Sequence, residues 1–98
     1  MTELERLEKA ILDLHGCKSK HVESMPIHET FEGKTVWQGV VEVFVLYEHP
    51  KAEFAYAWSY KDDSGKPHYV AVLGMSPIHS AEDALKAYVV ADHQRNKI

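Results

Sequence analysis

With 98 residues, 45% hydrophobic and 27% charged, the chain suits one globular domain, residues 1–98, built around a single core with no room for a second lobe. That composition excludes intrinsic disorder. A net charge of −4, with eleven basic residues scattered from Arg6 to Lys97, argues against nucleic acid or an anionic membrane as partner.

The longest uncharged apolar run, Val43 to Tyr47, is far shorter than the roughly 20 residues of a membrane span, and the opening MTELERLEK lacks the apolar core of an export signal. Cys17 stands alone and can form no internal disulfide, so the expected location is the reducing cytoplasm. Seven histidines move the real charge toward zero below a pH of about 6.5 and make solubility pH-sensitive.

Thr2 and Glu5 have capping-box spacing, and Leu4, Leu7, Ile11 and Leu14 recur along one helical face. This predicts a helix from Glu3 to His15, closed by Gly16. Ser19 to Phe31 alternates imperfectly around Pro26, which cannot donate to a ladder, and reads as an edge or bulged strand. A turn at Glu32, Gly33 and Lys34 then makes a hairpin with Thr35 to Tyr47, whose register the sequence leaves open. In this long strand Trp37, Val41, Val43 and Val45 alternate with Val36, Val40, Phe44 and Leu46. Both of its faces are apolar, so both sides of the sheet need cover.

Between Glu53 and Lys61 the aromatic residues Phe54, Tyr56, Trp58 and Tyr60 alternate with Ala55, Ala57 and Ser59, the signature of a third strand. Asp62 to Lys66 forms a glycine-bulge turn, and Pro67 to Gly74 returns as the fourth strand of an antiparallel meander. Ser80 and Asp83 repeat the capping signature before a second helix over about Ala81 to His93, with Ala84, Leu85, Tyr88, Val89 and Ala91 on its apolar face. The expected fold is α+β: helix, four-stranded antiparallel meander, helix.

If Leu46 pairs with Phe54, one sheet face carries Val41, Val43, Val45, Ala55, Ala57, Tyr69, Ala71 and Leu73. The other carries Val40, Phe44, Leu46, Phe54, Tyr56, Trp58, Tyr60, Val70 and Val72. The alanines favour close approach, so both helices are expected on that first face. The aromatic wall is then left over, and a homodimer through Phe44, Leu46, Phe54, Tyr56, Val70 and Val72 is the expected way to bury it. Helices over the aromatic face, or one on each face, would leave no such surplus.

Glu42 is the most informative polar residue, because a carboxylate between Val40, Val41, Val43 and Phe44 must be paired, hydrated or neutralised. In the same register it shares a face with His68, Trp58 and Tyr60, a candidate ligand-binding cluster. A plain structural partnership with a nearby His or Lys competes with that reading. His21, Glu23, His28 and Glu29 show no metal-ligand spacing and read as a polar surface strand. Gly33, Gly39 and Gly65 are too isolated for a phosphate loop, so no cofactor, metal or catalytic residue is assigned.

Double-stranded RNA-binding domains share the helix, strands, helix order, but the acidic opening of helix two, Ser80 to Asp83, rules that match out. The run HGCKSKHVESMPIHETFEGKTVWQGVVEVF, with AYAWSY downstream, resembles small bacterial proteins of the kind carried on mobile integron gene cassettes. The resemblance spans most of the chain and implies a single α+β domain, without an activity to carry over. The expected function is a homodimeric binding or adaptor module using the aromatic sheet face. The alternative is a small enzyme or small-molecule carrier with its pocket around Glu42.

Overall fold

In the computed structural model, which describes residues 2–76 and 78–95 and only the backbone of residues 31, 36 and 90–95, Thr2 opens the first helix. Its hydroxyl accepts the Glu5 N–H at 3.2 Å, the Glu5 carboxylate reaches back to the Thr2 N–H, and α1 runs Glu3–His15. Gly16, with φ 71°, ends the helix. Leu7 and Ile11 are fully buried, but Leu14, expected on the same stripe, is 61% exposed. The last turn is held instead by His15, whose Nε2 lies 3.0 Å from the Ala71 carbonyl and donates to it.

Four strands follow, β1 Ser19–Phe31, β2 Lys34–Leu46, β3 Phe54–Lys61 and β4 Pro67–Leu73, joined in the order β1-β2-β3-β4 with every neighbour antiparallel. The first turn has Phe31 opposite Lys34, with Glu32 and Gly33 both at positive φ (52° and 78°), a two-residue turn whose twist matches the strands. The β1–β2 ladder slips between His21 and Glu23, where Val22 is the extra residue, and again between Glu29 and Thr30. Pro26 is accommodated in β1 because that strand is an edge. The second helix, α2, spans Ala81–Arg95. The packing expected of Val36 and Ala91 lies outside the described residues.

The decisive departure is between β2 and β3, where Phe54 pairs with Val45 and not with Leu46. The chain between them is shaped by Glu48, at φ 60°, and by His49, whose Nδ1 accepts the Lys51 and Ala52 N–H groups at 3.1 and 2.9 Å. A one-residue offset turns every side chain of β2 to the other face relative to β3 and β4.

Two separate cores result. On one side Leu7, Ile11 and Cys17 pack with Phe44, Leu46, Ala55 and Ala57, flanked by Tyr69, Ala71 and Leu73. On the other, Ala81, Ala84 and Leu85 pack with Val41, Val43, Tyr56 and Trp58, flanked by Met25, Ile27, Trp37, Val70 and Val72. The helices therefore lie on opposite faces, correcting the expectation that both share the alanine-rich one. Each face now mixes large residues from one strand with small ones from its neighbour, and one helix suffices to cover it. No helix among the described residues is long and apolar enough to cross a membrane.

Candidate functional site

Reversing the parity of β2 divides the cluster expected around Glu42. Glu42 sits opposite Ala57 on the α1 face, whereas Trp58, Tyr60 and His68 point to the α2 face, so the sheet separates the carboxylate from the other three. Trp58 is 1% exposed, edge-on to Trp37 and Tyr88 with centroids 6.2 and 5.5 Å away. Tyr60 stacks on His68 at 5.1 Å. The His68 Nε2 lies 2.9 Å from Asp62 Oδ2, which ties it to the β3–β4 turn.

Asp62 organises that turn. Its carboxylate accepts the Ser64 hydroxyl, the His68 ring and the N–H groups of Lys66 and Ser64, and these bonds, the hydroxyl's first, hold its pKa well below the usual carboxylate range. This is turn architecture: Oδ1 gathers the three loop bonds and Oδ2 takes the His68 ring.

Glu42 has a partner of its own. Its Oε1 is 3.3 Å from His21 Nε2, and Ser24 Oγ is also 3.3 Å from that same nitrogen. Serine, histidine and glutamate here do not form a nucleophilic relay, which needs the acid and the hydroxyl on different ring nitrogens. The Val22 bulge makes this pairing, because it places His21 on the Phe44 face and Glu23 on the Val43 face. Among the described residues, no group of three or more His, Cys, Asp or Glu is arranged to hold a metal ion.

The residues expected at a dimer interface lie largely inside the protomer. Phe44 and Leu46 are buried beneath α1, Tyr56 is buried beneath α2, and Val70 and Val72 are half-buried beside it. Of the six, Phe54 alone is exposed. The leftover aromatic wall, and the argument for association drawn from it, are thereby removed.

A different recess forms where the Val22 bulge, the start of β3 and the start of α2 meet. It is an open cleft of about 270 Å³ lined by Val22, Met25, Val43, Phe54, Tyr56 and Ala81, with exposed Glu23, His79 and Ser80 at its rim. Val22 is 52% exposed, Phe54 39% and Met75 38%. Gly74 closes the β4 exit against β3, its N–H donating to the Phe54 carbonyl at 2.8 Å.

The cleft's walls are set by backbone approach. A Cβ on Gly74 would stand 3.1 Å from both the Phe54 carbonyl oxygen and the Tyr56 ring, so the ring comes closer to the β4 exit than a side chain there would comfortably allow. At the other wall, the Ser80 hydroxyl accepts the Asp83 N–H and the Asp83 carboxylate accepts the His79 N–H, each at 3.1 Å. Burial, with the Asp83 charge adding to it, pushes the Tyr56 phenol's pKa up and keeps it a neutral donor.

The chain matches no protein-family model, no curated protein and no solved structure. The cleft is invisible to sequence reading because its two controlling features, the Val22 bulge and the Val45–Phe54 register, have no residue-type signature. The one available hint is the apolar pair Val22 and Phe54, each at the mouth of its strand.

Proposed function

We infer that the chain is a non-enzymatic binding module that grips an apolar side chain presented by a protein partner, using the cleft beside the α2 N-terminus. The observation that carries this is the pair of exposed apolar side chains, Val22 and Phe54, lining a recess of about 270 Å³. That volume lies under the roughly 300–1,000 Å³ of small-molecule sites, and it suits one anchoring residue set within a flatter apolar border. Charged and polar groups stand at the rim, where they would surround the anchor and leave the floor greasy. The lone Cys17, buried and reduced, suits a cytoplasmic setting for such a module.

An isolated anchor should bind weakly. N-acetyl-leucine amide, titrated into methyl-labelled protein and followed by NMR, is expected to shift Val22, Met25 and Val43 with a Kd on the order of 1–10 mM. Val22→Lys, at an exposed bulge position, should weaken it severalfold without unfolding the chain. Equal binding by the variant, or shifts around His21 and Glu42 in place of the cleft, would overturn this reading in favour of a carrier pocket near Glu42. Sedimentation equilibrium of wild type and Val22→Lys separates the case in which a second copy of the chain supplies the anchor.

A further inference from the structure

Three chemically different surfaces meet in the cleft at the α2 N-terminus. The first is the apolar wall of Val22, Met25, Val43 and Phe54. The second is the exposed carboxylate of Glu23, which follows the Val22 bulge and makes no ion pair or hydrogen bond among the described residues. Among those residues no Lys or Arg lines the recess beside it.

The third surface is a phenol. Tyr56 is 6% exposed and lies close to Gly74, where an added Cβ would stand 3.5 Å from the hydroxyl oxygen. That hydroxyl has no hydrogen-bond partner among the described residues and yet is not sealed from solvent, so it opens into the recess that Tyr56 lines. A nearly buried donor of this kind favours an occupant that brings an acceptor. Ser80 repeats the demand at the rim: its oxygen accepts the Asp83 N–H at 3.1 Å, and its own proton has no acceptor among the described residues.

We propose that the occupant of this cleft is the first residue of a partner polypeptide, an apolar residue with a free α-amine. This rests on the reading of the cleft as an anchor site and adds the identity of the anchor. The side chain lies against the apolar wall, the ammonium group meets Glu23, and the carbonyl accepts from Tyr56. Spacing is what selects a chain start. Glu23 is the chain neighbour of Val22, so the cation has to sit beside the apolar wall. An α-amine is borne on the same carbon as its side chain, whereas lysine and arginine carry their charge at the end of a long stem. One residue then supplies all three groups, in a recess of about 270 Å³ that suits a single anchor.

The acceptor is a carbonyl in preference to a carboxylate. Glu82 and Asp83 occupy the first turn of α2 and offset the positive end of its dipole, and the lining offers no Lys or Arg to receive an anion. A polypeptide is therefore favoured over a free amino acid.

The test titrates the whole chain at pH 7, below the ordinary α-amine pKa of about 7.7–8.0. The probes are Leu-Ala-Ala amide, its N-acetylated form and free leucine, followed at the methyls of Val22, Met25 and Val43. The free-amine peptide should bind about two- to fivefold more tightly than the acetylated one, the margin of an exposed ion pair, and more tightly than leucine. Glu23→Gln, at an exposed position, should erase the margin between the peptides and leave the acetylated one bound as before. Tyr56→Phe, which keeps the ring, should weaken both peptides severalfold. Equal binding of the two peptides, a margin that survives Glu23→Gln, unchanged binding by Tyr56→Phe, or leucine matching the free-amine peptide would each overturn the proposal. In each of these cases the acetylated peptide still shifts the cleft methyls, so the anchor reading survives; cleft methyls that respond to none of the probes would remove both.

Discussion

The indole of Trp58 meets the phenol ring of Tyr88 edge-on, with centroids 5.5 Å apart, and this contact joins α2 to β3 within the second core. Trp58→Ala should destabilise the protein by about 3–5 kcal/mol, because truncating a fully buried tryptophan removes its transfer energy and leaves a cavity. Trp58→Phe should cost far less, since it keeps a ring against Tyr88 and removes a buried donor that lacks a partner. Urea unfolding of the two variants checks the contrast; equal losses would contradict it.

Gly74→Ala is expected to lower stability by about 1–3 kcal/mol, the range for forcing a methyl into a filled site. The methyl would press on the Phe54 carbonyl and the Tyr56 ring, each 3.1 Å away, so the cleft should change shape as well. A combined readout is therefore available: a lower urea midpoint together with weaker binding of N-acetyl-leucine amide.

Glu42→Gln tests the carboxylate that stands out in the sequence. With His21 as its partner at 3.3 Å, Glu42 should act structurally, and the change should cost about 0.5–2 kcal/mol while leaving probe binding in the cleft unchanged. Loss of probe binding with unaltered stability would reverse that assignment.

Asp62 carries a pH dependence of definite sign. Its folded-state pKa is depressed by bonds from Ser64, His68 and Lys66, so its contribution to stability is present above the ordinary unfolded value of about 3.9 and is lost as pH falls through the folded value. Carboxyl ¹³C shifts should show Asp62 still ionised where the exposed carboxylates have titrated. A midpoint near pH 4 would contradict the turn described here.

Much of the fold is legible in local chemistry. The Thr2–Glu5 capping box, the Ser80–Asp83 pair and the alternation of Phe54, Tyr56, Trp58 and Tyr60 each specify an element through residues a few positions apart, and those elements form where expected. What stays hidden is parity between β2 and β3. It hinges on Glu48 taking positive φ and on a histidine ring nitrogen gathering two amides at Lys51 and Ala52, a task usually read from Asp or Asn. The Val22 bulge is equally silent, and it decides that His21 meets Glu42. An error of one residue in parity therefore moves the second helix, the buried aromatics and the candidate site together.

The most direct test is the pairing of β2 with β3, read from cross-strand nuclear Overhauser contacts in uniformly labelled protein. Contacts linking Val43 to Tyr56 and Phe44 to Ala55 are expected, which seals each sheet face with one helix and leaves the cleft as an open apolar recess. Contacts linking Phe44 to Tyr56 and Leu46 to Phe54 would contradict the account and restore an aromatic wall in need of a second molecule.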